Sequence, residues 1–119
     1  MNKFSVGVHP TAATETTIIT VPKQQKIIIT NVLVTNHTGA NDNSDASLWW
    51  EHGHDDTHDI YLFFDKEFPH ADTYVLNDIN MVLREDDKLK CITDAGSVFS
   101  YIITFELHPD NAQTDNFNP

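Results

Sequence analysis

The sequence predicts an all-β protein, a single antiparallel β-sandwich of jelly-roll type with roughly seven or eight strands. Three observations carry this expectation. Strand-type patterning runs from Val6 to Leu107, no window holds helical periodicity long enough for a three-turn helix, and turn-forming residues recur between the apolar runs. At 119 residues the chain has the size of one domain and can bury roughly two-thirds of its unfolded surface. A sheet with one apolar face has to cover it, and short strands without intervening helices do so by packing a second sheet against the first.

The clearest strand is Val98 to Leu107, where Phe99, Tyr101, Ile103, Phe105 and Leu107 share one face and Ser100, Thr104 and Glu106 the other, the alternation of a half-buried strand. Lys26 to Thr35 is apolar on both alternations, which fits a central strand covered on both faces or a strand broken by a bulge. Further β-rich runs occupy Thr16 to Val21, Ser47 to Glu51, Asp59 to Phe64, Ile79 to Leu83 and Lys88 to Thr93. Between them, Val21-Pro22-Lys23 sets a turn, Asn36 to Ser44 is a polar loop, and Asp94-Ala95-Gly96-Ser97 reads as a hairpin turn. Residues 1–10 are expected as an N-terminal arm or edge strand, 11–108 as the sandwich, and 109–119 as a tail that is flexible or ordered on a neighbour, with Phe117 as its anchor in the second case.

Lys and Arg number 7 against 18 Asp and Glu, for a formal charge of −11. Such a surface repels a phosphate backbone and an anionic membrane, so neither nucleic acid nor a bilayer is an expected partner. No run approaches the roughly 20 apolar residues of a membrane helix, and the first residues lack the basic-then-apolar order of a secretory signal. Cys91 is the one cysteine. It excludes an internal disulfide framework, and its place in Lys88 to Ile92 is that of a small buried strand residue.

Chemistry is most concentrated in Glu51 to Asp59, which holds His52, His54 and His58 among four carboxylates. Two histidines two apart on a strand point the same way, so His52 and His54 could share a metal ion, with His58 or Asp56 completing the set. The bland alternative is a solvated acidic loop in which histidine balances charge. His52-Gly53-His54 is similar to the His-x-His of cupin enzymes, but His58 stands where their glutamate ligand belongs and Phe68-Pro69-His70-Ala71 does not match their second motif. An ion on His52, His54 and His58 is therefore the one cofactor the sequence offers. No Gly-x-Ser-x-Gly elbow is present, and Glu85-Asp86-Asp87 reads as a charged turn, so the chain is not expected to be an enzyme.

Trp49, Trp50, Tyr61 and Phe63 supply aromatic surface for an interface, since aromatic side chains concentrate contact energy. Adjacent strand residues face opposite ways, so one tryptophan is expected in the core and the other outside. By the same alternation Tyr61 and Phe63 share a face, opposite Leu62 and Phe64.

Thr16 to Pro22, followed by Lys26 to Asn36, resembles the opening of small β-sandwich virion structural proteins of tailed bacteriophages, where a Thr-Val-Pro turn leads into a long strand ending in Thr-Asn. Val82 to Leu89 looks like their Leu-x-x-Gly-Asp-x-Leu turn, with Asp86 in place of the glycine, and Phe99 to Glu106 like their closing strand. The resemblance implies a capsid decoration or cement protein in the virion. It would be a homo-oligomer, a trimer favoured, that binds the major capsid protein or other virion proteins. A tail, neck or fibre accessory protein that sets Trp49 or Trp50 against a host glycan is its alternative, and a metal-binding cupin-like protein the third.

Overall fold

The computed structural model describes residues 2–39, 42–53 and 59–110. Nine strands form in chain order: β1 (Asn2–Val8), β2 (Thr16–Thr20), β3 (Gln25–Asn36), β4 (Ser44–Glu51), β5 (Asp59–Phe68), β6 (Thr73–Leu76), β7 (Met81–Arg84), β8 (Lys88–Thr93) and β9 (Phe99–Pro109). One antiparallel sheet has the order β1-β9-β3-β6, with β7 also paired to β3, and the second has the order β2-β8-β4-β5. Successive strands repeatedly cross from one sheet to the other, which is the jelly-roll arrangement. The fold class is as the alternation and the absence of helical periodicity predicted.

The strand count exceeds the expected seven or eight. Thr73–Leu76 has only four residues, too few for alternation to register, and becomes β6 because Leu33 and Val34 lie opposite Val75 and Tyr74. Of the two causes anticipated for the apolar run of β3, the bulge is present, and in place of cover on both faces the strand is paired along both edges. Its twelve residues lie between β9 on one side and β6 and β7 on the other. Its register against β9 also shifts between Ile29 and Asn31. Inward residues are Ile27 and Ile29 before that shift and Val32 and Val34 after it, all buried, so the extra residue changes which alternation faces the core. Thr30 at the shift donates from Oγ1 to the Thr104 carbonyl at 3.2 Å.

Phe99, Tyr101 and Ile103 of β9 are fully buried between the sheets, as their alternation requires. Phe68 stands near the middle of an aromatic group, its ring centroid 5.3 Å from Phe99, 5.7 Å from Phe63 and 6.2 Å from Tyr74, each pair close to edge-on. That geometry sets ring edges against ring faces and adds to the area term. Cys91 is buried on β8. Asn36, at the end of β3, is buried with its side chain satisfied: Nδ2 donates to the Phe68 carbonyl at 2.9 Å, and Oδ1 accepts the Thr38 N–H at 3.0 Å.

Two connectors differ from expectation. Asp94 to Ser97 is a turn, with Ser97 N–H donating to the Asp94 carbonyl at 3.1 Å and Gly96 at φ 76°. It joins β8 to β9, which lie in different sheets, so it is a corner of the sandwich and not a hairpin. Glu85 to Asp87 turns the chain between sheets in the same way, and Asp86 adopts φ 69° where the similar phage motif has glycine. The third carboxylate of that charged turn, Asp87, is only 2% exposed.

Candidate functional site

The candidate site is the outer face of the second sheet around β4 and β5. Trp49 lies opposite Lys90 on β8 and Tyr61 on β5. Leu48, Leu89 and Cys91 turn into the core, so Trp49, Lys90 and Tyr61 share the outward side. Trp50 lies opposite Leu89 and packs against the core, with His52 stacked on it at 5.8 Å. One tryptophan in and one out is the predicted division. The outward one is nevertheless only 4% exposed, because Tyr61 covers it with ring centroids 5.4 Å apart.

Tyr61 and Phe63 do not share a face. The pairing of β4 with β5 shifts between Ala46 and Leu48 and again between Leu48 and Trp49. Each extra residue on β5 reverses the alternation. Phe63 therefore enters the core, and Tyr61 and Phe64 stay outside, in edge-on contact at 4.9 Å. Tyr61 is 42% and Phe64 64% exposed. Phe64 is the exposed ring that strict alternation misses. The backbone just after it is held by Ser47, whose Oγ accepts the Asp65 N–H at 2.8 Å while Asp65 takes φ 46°. An aspartate beside an aromatic run is the only sequence sign of that bulge, and it is a weak one.

The surroundings of this aromatic patch are acidic. Burial raises the Tyr61 phenol above its ordinary range, and the charges of Asp59, Asp65 and Glu15 add to the shift. On the β8 side, Lys90 Nζ lies 2.9 Å from both Glu51 and Glu15, and Lys88 Nζ 3.7 Å from Glu51. The hydrogen bond to Glu51 is the largest influence holding Lys90 above the usual lysine range. Lys90 is thus neutralised within the sheet face, and negative charge dominates the rim of the patch.

The proposed metal ligands are placed only in part. His52 is half-buried against Trp50, whereas His54, Asp56 and His58 lie outside the described residues, as does Phe117. Among the described residues no group of three or more His, Cys, Asp or Glu side chains is arranged to hold a metal. What the structure does fix is the entry to this loop. Gly53 N–H donates to Asp87 Oδ1 at 2.7 Å, and Asp87 Oδ2 accepts the Arg84 N–H at 2.9 Å. A Cβ on Gly53 would stand 2.5 Å from the Asp86 carbonyl carbon, so glycine is the residue that allows the two backbones to meet.

The thiol of Cys91 is pushed up to about 12 by burial, which leaves it protonated and unreactive at neutral pH. His37 Nε2 is 2.8 Å from Ser100 Oγ. The contact is exposed, and the ring beside His37 is that of His9 at 5.5 Å, where a serine nucleophile would need a carboxylate orienting its base.

No protein-family model matches the chain, and no curated protein matches it. A solved structure of a Bacillus endospore appendage, from a family of disulfide-linked pili, is similar over 92% of this chain and 87% of its own, with 11% identity and a TM-score of 0.48. Likeness at this level assigns no function. The bacteriophage expectation is corrected: no family model or curated protein, of phage or other origin, matches the chain, the solved structure just described is not named as a phage protein, and the motifs that suggested a capsid decoration protein are those of strand and turn geometry alone. Thr16 to Pro22 and Val82 to Leu89 form β2, β7, β8 and their turns, and such turns recur wherever chains cross between packed sheets.

Proposed function

We propose that this chain is a non-catalytic binding module that contacts a protein partner through Tyr61 and Phe64 on the outer face of β5. The observation that carries this reading is the pair of exposed aromatic rings held rigidly on a strand above a buried tryptophan. Rigid aromatics lose little conformational entropy on binding and dominate interface energetics. The carboxylates around them suit a partner surface with an apolar pocket rimmed by Lys or Arg, and like charges disfavour the same patch on a second copy. The protonated thiol of Cys91 and the exposed His37–Ser100 contact support a role without catalysis.

A photoreactive phenylalanine analogue at position 64, introduced into the chain in its source cells, tests this. The expected result is a discrete cross-linked protein that disappears when Tyr61→Ser is added and weakens as ionic strength rises. Identical adducts from position 82 on β7, or none from position 64, would contradict it.

A further inference from the structure

Among the described residues the outer edge of β1 pairs with no strand, and of the devices that keep sheet edges apart it carries only one charge, Lys3. An edge strand presents unpaired N–H and C=O groups to any strand that approaches, and proteins blunt such edges with bulges, charges, proline or short length. The other three edges are blunted. β5 carries two register shifts, Asp65 at positive φ, and Asp59 and Glu67. β2 has five residues and a shift between Thr17 and Ile19. β6 and β7 have four residues each, separated by Asp78 and Asn80 at positive φ. β1, by contrast, pairs with β9 over seven consecutive residues without a shift, from Asn2 with Leu107 to Val8 with Tyr101. It contains no proline, and among the described residues it pairs with no other strand.

We infer that β1 is a self-association edge, where the β1 strands of two copies pair antiparallel about Ser5 and join their first sheets into one. Three features favour a second copy of this chain as the occupant. The protein carries a net charge of −11, yet its first carboxylate is Glu15. β1 itself therefore carries no carboxylate, and the one beside it on β9, Glu106, lies opposite Lys3, so two acidic copies meet little carboxylate repulsion along this edge. The strand is also self-complementary. With Ser5 opposite the partner's Ser5, Phe4 lies beside the partner's Val6 and Lys3 beside the partner's Gly7, so the single lysine meets no like charge. Finally, Phe4 points to the same side as Val6 and Val8, which pack on the core, but is itself 44% exposed while stacked on Phe105 at 5.6 Å. Two-fold pairing keeps the inward faces on one side and sets an apolar neighbour against the exposed part of Phe4.

This inference goes beyond the binding role of β5 and uses a different surface, so either can fail alone. Light scattering and sedimentation of the full chain over a wide concentration range should show a dimer of twice the chain mass. Ser5 is exposed and hydrogen-bonded to Thr104 Oγ1 at 3.1 Å, so charge there is tolerated in the monomer, which an unchanged circular dichroism spectrum verifies. Ser5→Asp alone and Ser5→Lys alone should each shift the protein to monomer by placing like charges opposite one another. Mixing the two should restore a dimer containing one of each. Ser5→Cys should form an intermolecular disulfide under oxidised glutathione, since directly opposed residues in an antiparallel pair lie within disulfide reach. A monomer at every concentration, a trimer, or a dimer indifferent to both Ser5 charges would overturn the proposal.

Discussion

Truncation of Phe68 to alanine is expected to lower the folding free energy by about 3–5 kcal/mol, enough to consume much of the roughly 5–15 kcal/mol that holds a domain of this kind together. Phe68 is fully buried at the end of β5 and touches rings from both sheets: Phe63 of its own strand, Tyr74 of β6 and Phe99 of β9. Removing it leaves a void bounded by three rings that cannot all move inward, because each is fixed by its own strand pairing. Its carbonyl also accepts the Asn36 amide, so collapse of the void would strain that bond. Urea denaturation monitored by fluorescence of Trp49 and Trp50 measures the loss. Phe68→Leu, which keeps most of the volume, should cost distinctly less.

Replacement of Asp87 by alanine should cost about 3 kcal/mol, although the residue belongs to a run of three carboxylates that looks solvated. Its two oxygens receive the backbone N–H groups of Gly53 and Arg84 at 2.7 and 2.9 Å. Alanine would strand both donors where water reaches poorly, since Asp87 is almost wholly buried. Asparagine keeps one acceptor and turns an amide N–H₂ toward the other donor, so Asp87→Asn should fall between alanine and the parent. Gly53→Ala attacks the same junction from its other side through the Asp86 backbone. The double variant with Asp87→Ala should therefore lose less than the sum of the two single losses, the signature of a shared contact. Glu85, half-exposed in the same turn, accepts the Gln24 N–H at 2.9 Å, but water can reach that donor, so Glu85→Ala should cost distinctly less than Asp87→Ala.

The contrast between Glu85 and Asp87 shows where sequence reasoning reaches its physical limit. Both accept backbone N–H groups, Glu85 from Gln24 and Asp87 from Gly53 and Arg84, and the local sequence does not say which of the two is buried. Only the approach of Gly53, from a segment more than thirty residues earlier, closes Asp87 off from water. The strand β9 was legible because its alternation from Phe99 to Leu107 is unbroken and one face is covered along most of its length. Cys91 was legible for the same reason. On β5 the alternation was misleading, as the register shifts against Leu48 exchange the faces of Phe63 and Phe64. Such bulges depend on how the partner strand is held, here by Ser47 gripping the Asp65 backbone. The aromatic composition of the site was therefore visible in the sequence, and its outward members were not. Likewise, Asp94 to Ser97 announced a turn but not which sheets it would join, a property of the whole topology.

The phage assignment failed for a related reason. Its motifs, a Thr-Val-Pro turn and an acidic turn before Lys88, encode how a chain leaves one strand and enters the next. They specify corners of a sandwich, and the surfaces we propose for its role lie elsewhere, at Tyr61 and Phe64 and along the outer edge of β1.

Hydroxyl-radical footprinting of the chain, in its source cells and again as dilute purified protein, tests most directly whether it acts through these surfaces. Aromatic rings label readily, so Tyr61 and Phe64 should be strongly protected in cells while Val75 and Val82, exposed on the far sheet, label equally in both states. Equal labelling of Tyr61 and Phe64 in cells and in dilute solution would contradict it.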